Sequence, residues 1–122
     1  MNNQKHPTLV NGKICYIEIP VSDVNRSVEF YESVFGWDMR RRGDGNVAFH
    51  DGVEVSGAFV LNRPPMTQVG LLIYIMVENI SDTADKIVKY GGKIVQPVDP
   101  DAHEITARFS DPYGNILGIY QE

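Results

Sequence analysis

The stretch Asp23-Val-Asn-Arg-Ser-Val-Glu-Phe-Tyr-Glu-Ser-Val-Phe-Gly36 decides how this chain is read. Val24, Val28, Tyr31, Val34 and Phe35 recur at helical spacing and form one apolar stripe, which predicts a helix over Val24–Phe35. Ser22 or Asp23 offers an N-cap oxygen, and Gly36 supplies the C-terminal stop. Upstream, from Lys13, the residues alternate as a strand does. Ile14, Tyr16 and Glu18 face one way, and Cys15, Ile17 and Ile19 the other. Downstream, Trp37–Arg41, Asn46–His50 and Glu54–Leu61 read as three short strands, separated by the turn sequences Gly43-Asp44-Gly45 and Asp51-Gly52. Asn62-Arg63-Pro64-Pro65 breaks the pattern and reads as a linker.

The same order then recurs. Gly70–Val77 is an apolar strand, Asn79 or Ser81 caps a helix ending near Tyr90, and Gly91-Gly92 stops it. Lys93–Pro97, Ile105–Ser110 and Ile116–Gln121 complete the set, the last two joined by Asp111-Pro112-Tyr113-Gly114, a type I turn sequence. Sliding the chain along itself puts Asp23 on Asn79 (79 − 23 = 56), Val24 on Ile80, Tyr31 on Ile87 and Gly36 on Gly92. The expectation is a single α+β domain over 13–122, built of two βαβββ modules at about 13–61 and 70–121 behind a tail, 1–12.

Composition narrows the function classes. The chain has 122 residues, 43% hydrophobic and 22% charged, which suits one globular domain. A net charge of −5 argues against a nucleic-acid partner held through phosphates. No run of apolar residues is long enough to span a membrane, and the polar start Met1 to Gly12 carries no secretory signal pattern. The single Cys15 forms no intrachain disulfide and fits a reducing, cytoplasmic setting.

Three segments carry a family resemblance. Tyr16-Ile-Glu-Ile-Pro-Val-Ser-Asp23, Ser27-Val-Glu-Phe-Tyr-Glu-Ser-Val-Phe-Gly-Trp37 and Phe109-Ser-Asp-Pro-Tyr-Gly-Asn-Ile-Leu117 together resemble the vicinal oxygen chelate superfamily. That group includes glyoxalase I (lactoylglutathione lyase), bleomycin-resistance proteins and extradiol dioxygenases. The resemblance runs from about Lys13 to Tyr120, and its motifs are structural: Phe30, Tyr31, Val34 and Phe35 supply a core face. It implies curved mixed sheets forming a cup, and a homodimer. In the metal enzymes of the family, His, Gln or Glu on the first and last strand of each module hold a divalent cation with open positions.

Here the corresponding positions fall on Tyr16, Leu72, Gly118 and Val60, which do not rebuild such a cluster. No cofactor is therefore expected; the alternative is a divalent metal on an atypical set of Glu18, His50 and Glu54. His6 in the tail and His103 in the Asp99–Glu104 loop read as solvated. With Tyr16 facing the cup, Glu18 faces it too, either as a general base or as a structural acid paired with Arg108 or a backbone N–H. The second module contributes Leu72, Tyr74 and Met76, and the last strand Ile116, Gly118 and Tyr120. Gly118 leaves room for a ligand or marks a close strand contact. Trp37 and Phe59 read as buried packing, the alternative being to stack a planar ligand, and Arg40-Arg41-Arg42 as a solvated face, the alternative being to meet an anionic substrate group at the mouth.

These residues describe an apolar, aromatic-lined cup for a small organic ligand. The expectation is a cytoplasmic homodimer that binds such a ligand without a glyoxalase-type metal site and has no nucleic-acid or membrane partner. One alternative is a lyase, isomerase or dioxygenase using the atypical metal set or Glu18 as base. Another is an interaction subunit with a filled cup.

Overall fold

A computed structural model describes residues 7–122. His6 lies outside the described residues. Strand β1 (Tyr16–Pro20) leads into helix α1 (Val24–Phe35), followed by β2 (Asp38–Arg41), β3 (Val47–His50) and β4 (Ser56–Val60). The second half repeats the order with β5 (Tyr74–Val77), α2 (Ile80–Lys89), β6 (Lys93–Gln96), β7 (Ile105–Ser110) and β8 (Ile116–Gln121).

Both helices start alike. Asp23 Oδ1 accepts from the Arg26 N–H (3.1 Å), and Asn79 Oδ1 accepts from the Asp82 N–H (3.0 Å). Each cap satisfies one of the N–H groups that a first turn leaves unpaired, and the caps keep the 56-residue offset (79 − 23 = 56). At the end of α1, Gly36 adopts φ 72°, a left-handed conformation costly for residues with a Cβ, and its N–H donates to Glu32 O.

The strands form two four-stranded sheets, ordered β1-β4-β3-β2 and β5-β8-β7-β6. Each is mixed: β1 runs parallel to β4 and β5 to β8, while the remaining pairs are antiparallel. The sheets do not close into one, so β1 and β5 are both edge strands. This is the α+β architecture that the repeat predicts.

Several strands are shorter than their apolar patterns, β1 beginning at Tyr16 rather than Lys13. Glu54–Leu61 narrows to Ser56–Val60 because Asp51 Oδ1 accepts from the backbone N–H groups of Val53, Glu54 and Val55 (2.8–3.0 Å), folding that stretch into a turn. Gly70–Val77 narrows to Tyr74–Val77, leaving Leu72 ahead of β5.

One core serves both modules. Ile19, Phe30 and Phe59 of the first half share a buried cluster with Ile87, Phe109 and Ile119 of the second, and α1 packs on α2. Burying each such side chain contributes roughly 1.5–3 kcal/mol. A buried polar network then fixes the halves together. The Tyr31 hydroxyl donates to Asp111 Oδ2 (2.8 Å), and Asn115 Nδ2 donates to the same oxygen (2.9 Å) and to Pro20 O (2.7 Å). Asn115 Oδ1 accepts from Met66 N–H (2.7 Å), which ties in the linker. The other Asp111 oxygen accepts three backbone N–H groups, from Tyr113, Gly114 and Asn115, closing the last hairpin turn. Tyr31 is fully buried; burial and the Asp111 charge hold its phenol protonated, far above the ordinary tyrosine range.

Candidate ligand-binding site

Strand pairing sorts the side chains into two faces. Ile17, Ile19, Phe49 and Phe59 point to the helices and the core. The other face of the first sheet carries two cross-strand rows, Tyr16–Ser56–His50–Asp38 and Glu18–Ala58–Ala48–Arg40. In the second sheet the rows are Tyr74–Gly118–Arg108–Gln96 and Met76–Tyr120–Thr106. Tyr16 and Glu18 thus share one face, as do Tyr74, Met76, Gly118 and Tyr120; Leu72 lies outside the strand, partly buried.

The rows also revise the internal repeat. With Glu18 matched to Tyr74 at offset 56, the residue across from each is Ala58 and Gly118, which stand 118 − 58 = 60 apart. Ala58, rather than Val60, is therefore the counterpart of Gly118. The offset grows because the 97–104 loop is longer than its first-module equivalent, a difference that gapless sliding does not register.

Glu18 meets a linker residue. Arg63 Nη2 donates to Glu18 Oε1 at 2.6 Å, and the Arg63 carbonyl accepts from the Tyr113 hydroxyl (3.2 Å). The sequence offers Arg108 as the partner of Glu18; the fold supplies Arg63 instead. Nothing in Asn62-Arg63-Pro64-Pro65 beyond its linker composition signalled that role, since the contact spans 45 residues.

His50 and Glu54 are engaged elsewhere. His50 Nδ1 accepts from the Gly52 N–H (2.8 Å). The Glu54 carboxylate takes Lys13 Nζ (3.0 Å) and both the N–H and the hydroxyl of Thr8, which hold it below the ordinary glutamate range, Lys13 foremost. Among the described residues no three His, Cys, Asp or Glu side chains come together as a metal-binding group. The donors at Tyr16, Leu72, Gly118 and Val60 or Ala58 amount to one phenol among aliphatic groups, which does not fit a divalent cation.

Gly118 is a close contact. A Cβ built there would come within 2.5 Å of Tyr74 Cδ1, so the Tyr74 ring lies directly over it. At the far end of the face, the Tyr120 hydroxyl donates to Glu122, and that carboxylate pushes the phenol up to about 12. A cleft of about 270 Å³ is lined by Tyr74 and Met76 of β5 together with Trp37, Phe49 and Val53 of the first module. Trp37 itself is stacked between Tyr31 (4.8 Å) and Phe49 (4.7 Å), so its ring faces are taken and it presents an edge to the cleft. Phe59 is buried. No helix among the described residues is long and apolar enough to cross a membrane.

Comparison with known proteins places this geometry. The family model described as Glyoxalase/Bleomycin resistance protein/Dioxygenase superfamily matches residues 13–119. A glyoxylase-like domain-containing protein of Didymella fabae is 26% identical over 98 residues, covering 74% of this chain and 77% of its own. A protein of Mycobacterium bovis that carries glyoxylase in its name is 29% identical over 118 residues, 87% of this chain, and the chain spans only 44% of that protein's length. Among solved structures, the fosfomycin resistance protein FosX of Mesorhizobium loti superposes with a TM-score of 0.74 at 16% identity, covering 93% of this chain and 94% of its own. TnmS3, an antibiotic binding protein from a Streptomyces species, superposes with a TM-score of 0.66 at 21% identity, covering 93% and 98%.

Proposed function

The chain belongs to the glyoxalase/bleomycin resistance protein/dioxygenase superfamily, and from that premise we propose that it binds a small organic molecule on its open sheet faces, without a glyoxalase-type metal centre. One observation carries the reading. Tyr16, Tyr74 and Met76 lie on those faces with 48%, 49% and 68% of their surface exposed, although a shared core was available to bury them. Large apolar side chains left exposed on open sheet faces favour a partner that removes them from water. The metal-free part rests on the donor chemistry of the four family positions. Fold neighbours named for fosfomycin resistance and for antibiotic binding make a small molecule a reasonable occupant.

We further propose that the working unit is a homodimer in which β1 of one copy lies beside β5 of the other, since both are edge strands bearing exposed apolar residues. The exposed thiol of Cys15 suits a reducing, cytoplasmic setting.

Titration with N-phenyl-1-naphthylamine, a neutral apolar fluorophore, tests the binding reading. Saturable binding is expected, weakened about tenfold in Tyr74→Ala, equivalent to ~1.4 kcal/mol. Absence of saturable binding to the unaltered protein overturns the reading. Stoichiometric nickel, zinc, iron or manganese in the purified protein overturns its metal-free part.

A further inference from the structure

Building on the ligand-binding reading, we propose that Arg108 receives the negatively charged group of the ligand, which makes the ligand class a small organic anion: an oxyanion carried on an apolar or aromatic body.

Arg108 sits on β7 across from Gly118, in the same row as Tyr74 and Gln96 and on the face away from the helices. It is partly buried, yet among the described residues it forms no ion pair and no side-chain hydrogen bond. On the first module the acids already have partners, Glu18 with Arg63 and Glu54 with Lys13. A partly buried arginine whose five N–H donors meet no protein acceptor keeps them available, and an oxyanion takes them with two parallel charge-assisted bonds.

The internal repeat separates what the fold requires from what it does not. At offset 60, Phe109 corresponds to Phe49 (109 − 49 = 60), and both are buried aromatic residues serving the core. One residue earlier the halves diverge, with Ala48 in the first and Arg108 in the second. A methyl group suffices at this place in the fold, so the cation is not a demand of the architecture.

The surroundings orient the ligand. Gly118 puts no side chain between Arg108 and the Tyr74 ring, so an apolar body resting on Tyr74 brings an attached anion toward the guanidinium. Two residues along β8, Tyr120 is flanked by the carboxylates of Glu104 and Glu122, which repel an anion from that end. The face is thus polar in one direction: acidic beside Tyr120, cationic at Arg108.

A matched pair of probes tests this. 1-Anilinonaphthalene-8-sulfonate carries a sulfonate on the same ring system as neutral N-phenyl-1-naphthylamine. In Arg108→Gln the sulfonate probe is expected to bind at least about tenfold more weakly, while the neutral probe keeps its affinity. Arg108→Lys, which keeps the charge without the planar fork, should recover part of the loss. Unchanged sulfonate binding in Arg108→Gln overturns the assignment, as does an equal loss of both probes, which would mark a structural role. If the neutral probe binds the unaltered protein but the sulfonate does not, the anion assignment fails and the ligand-binding reading stands. If neither binds, both fail.

Discussion

At the scale of single residues, Tyr31 joins two levels of organisation. Its ring belongs to the apolar stripe of α1, and its hydroxyl reaches Asp111 at the start of the last hairpin turn (2.8 Å). The same carboxylate accepts from Asn115 Nδ2, which also binds Pro20 O at the end of β1. Replacing Tyr31 with Phe keeps the ring and removes one donor from a buried carboxylate. Such a loss costs about 1–3 kcal/mol, so a urea titration should show the midpoint lowered with little change in slope. An unaltered midpoint would mean that the network does not hold the halves together. The ring's burial was legible from helical spacing. The hydroxyl's partner was not, because it lies 80 residues away and no local pattern encodes it.

At the scale of elements, two strand glycines have opposite surroundings. A Cβ at Gly57 would collide with the Ile17 carbonyl and the Phe49 ring, both fixed in the β1–β4–β3 pairing. The three atoms nearest a Cβ at Gly118 all belong to the half-exposed Tyr74 ring, which has room to turn aside. Gly57→Ala should therefore destabilise by about 1–3 kcal/mol. Gly118→Ala should leave the melting temperature within a few degrees of the unaltered protein while weakening N-phenyl-1-naphthylamine binding, because Tyr74 is displaced. Equal effects on stability would remove the distinction drawn between the two. Strand existence was readable from alternation, but strand ends were not. Asp51 shortens β4 by capturing three N–H groups with one side-chain oxygen, and the longer 97–104 loop shifts the counterpart of Gly118 from Val60 to Ala58.

At the scale of the whole molecule, the open edges matter most. β1 and β5 each have one side without a strand partner, and Met76 on β5 is largely exposed. Edge strands of this kind invite pairing unless charge blocks it. Met76→Lys places a charge on that edge, so light scattering should report a dimer for the unaltered protein and a monomer for the variant. A monomeric unaltered protein, or a variant that stays dimeric, would overturn the proposed arrangement.

The sequence by itself determined the repeated βαβββ order, two candidates for each helix cap and the open faces of β1, β5 and β8. These follow from periodicity and turn chemistry, which act over a few neighbouring residues. Only the tertiary structure decided which charges meet: Arg63 rather than Arg108 reaches Glu18, Lys13 and Thr8 hold Glu54, and Arg108 is left unmatched among the described residues. Those outcomes depend on where the linker and residues 8–13 come to lie. Long polar side chains can reach many partners, and packing, not local pattern, selects among them.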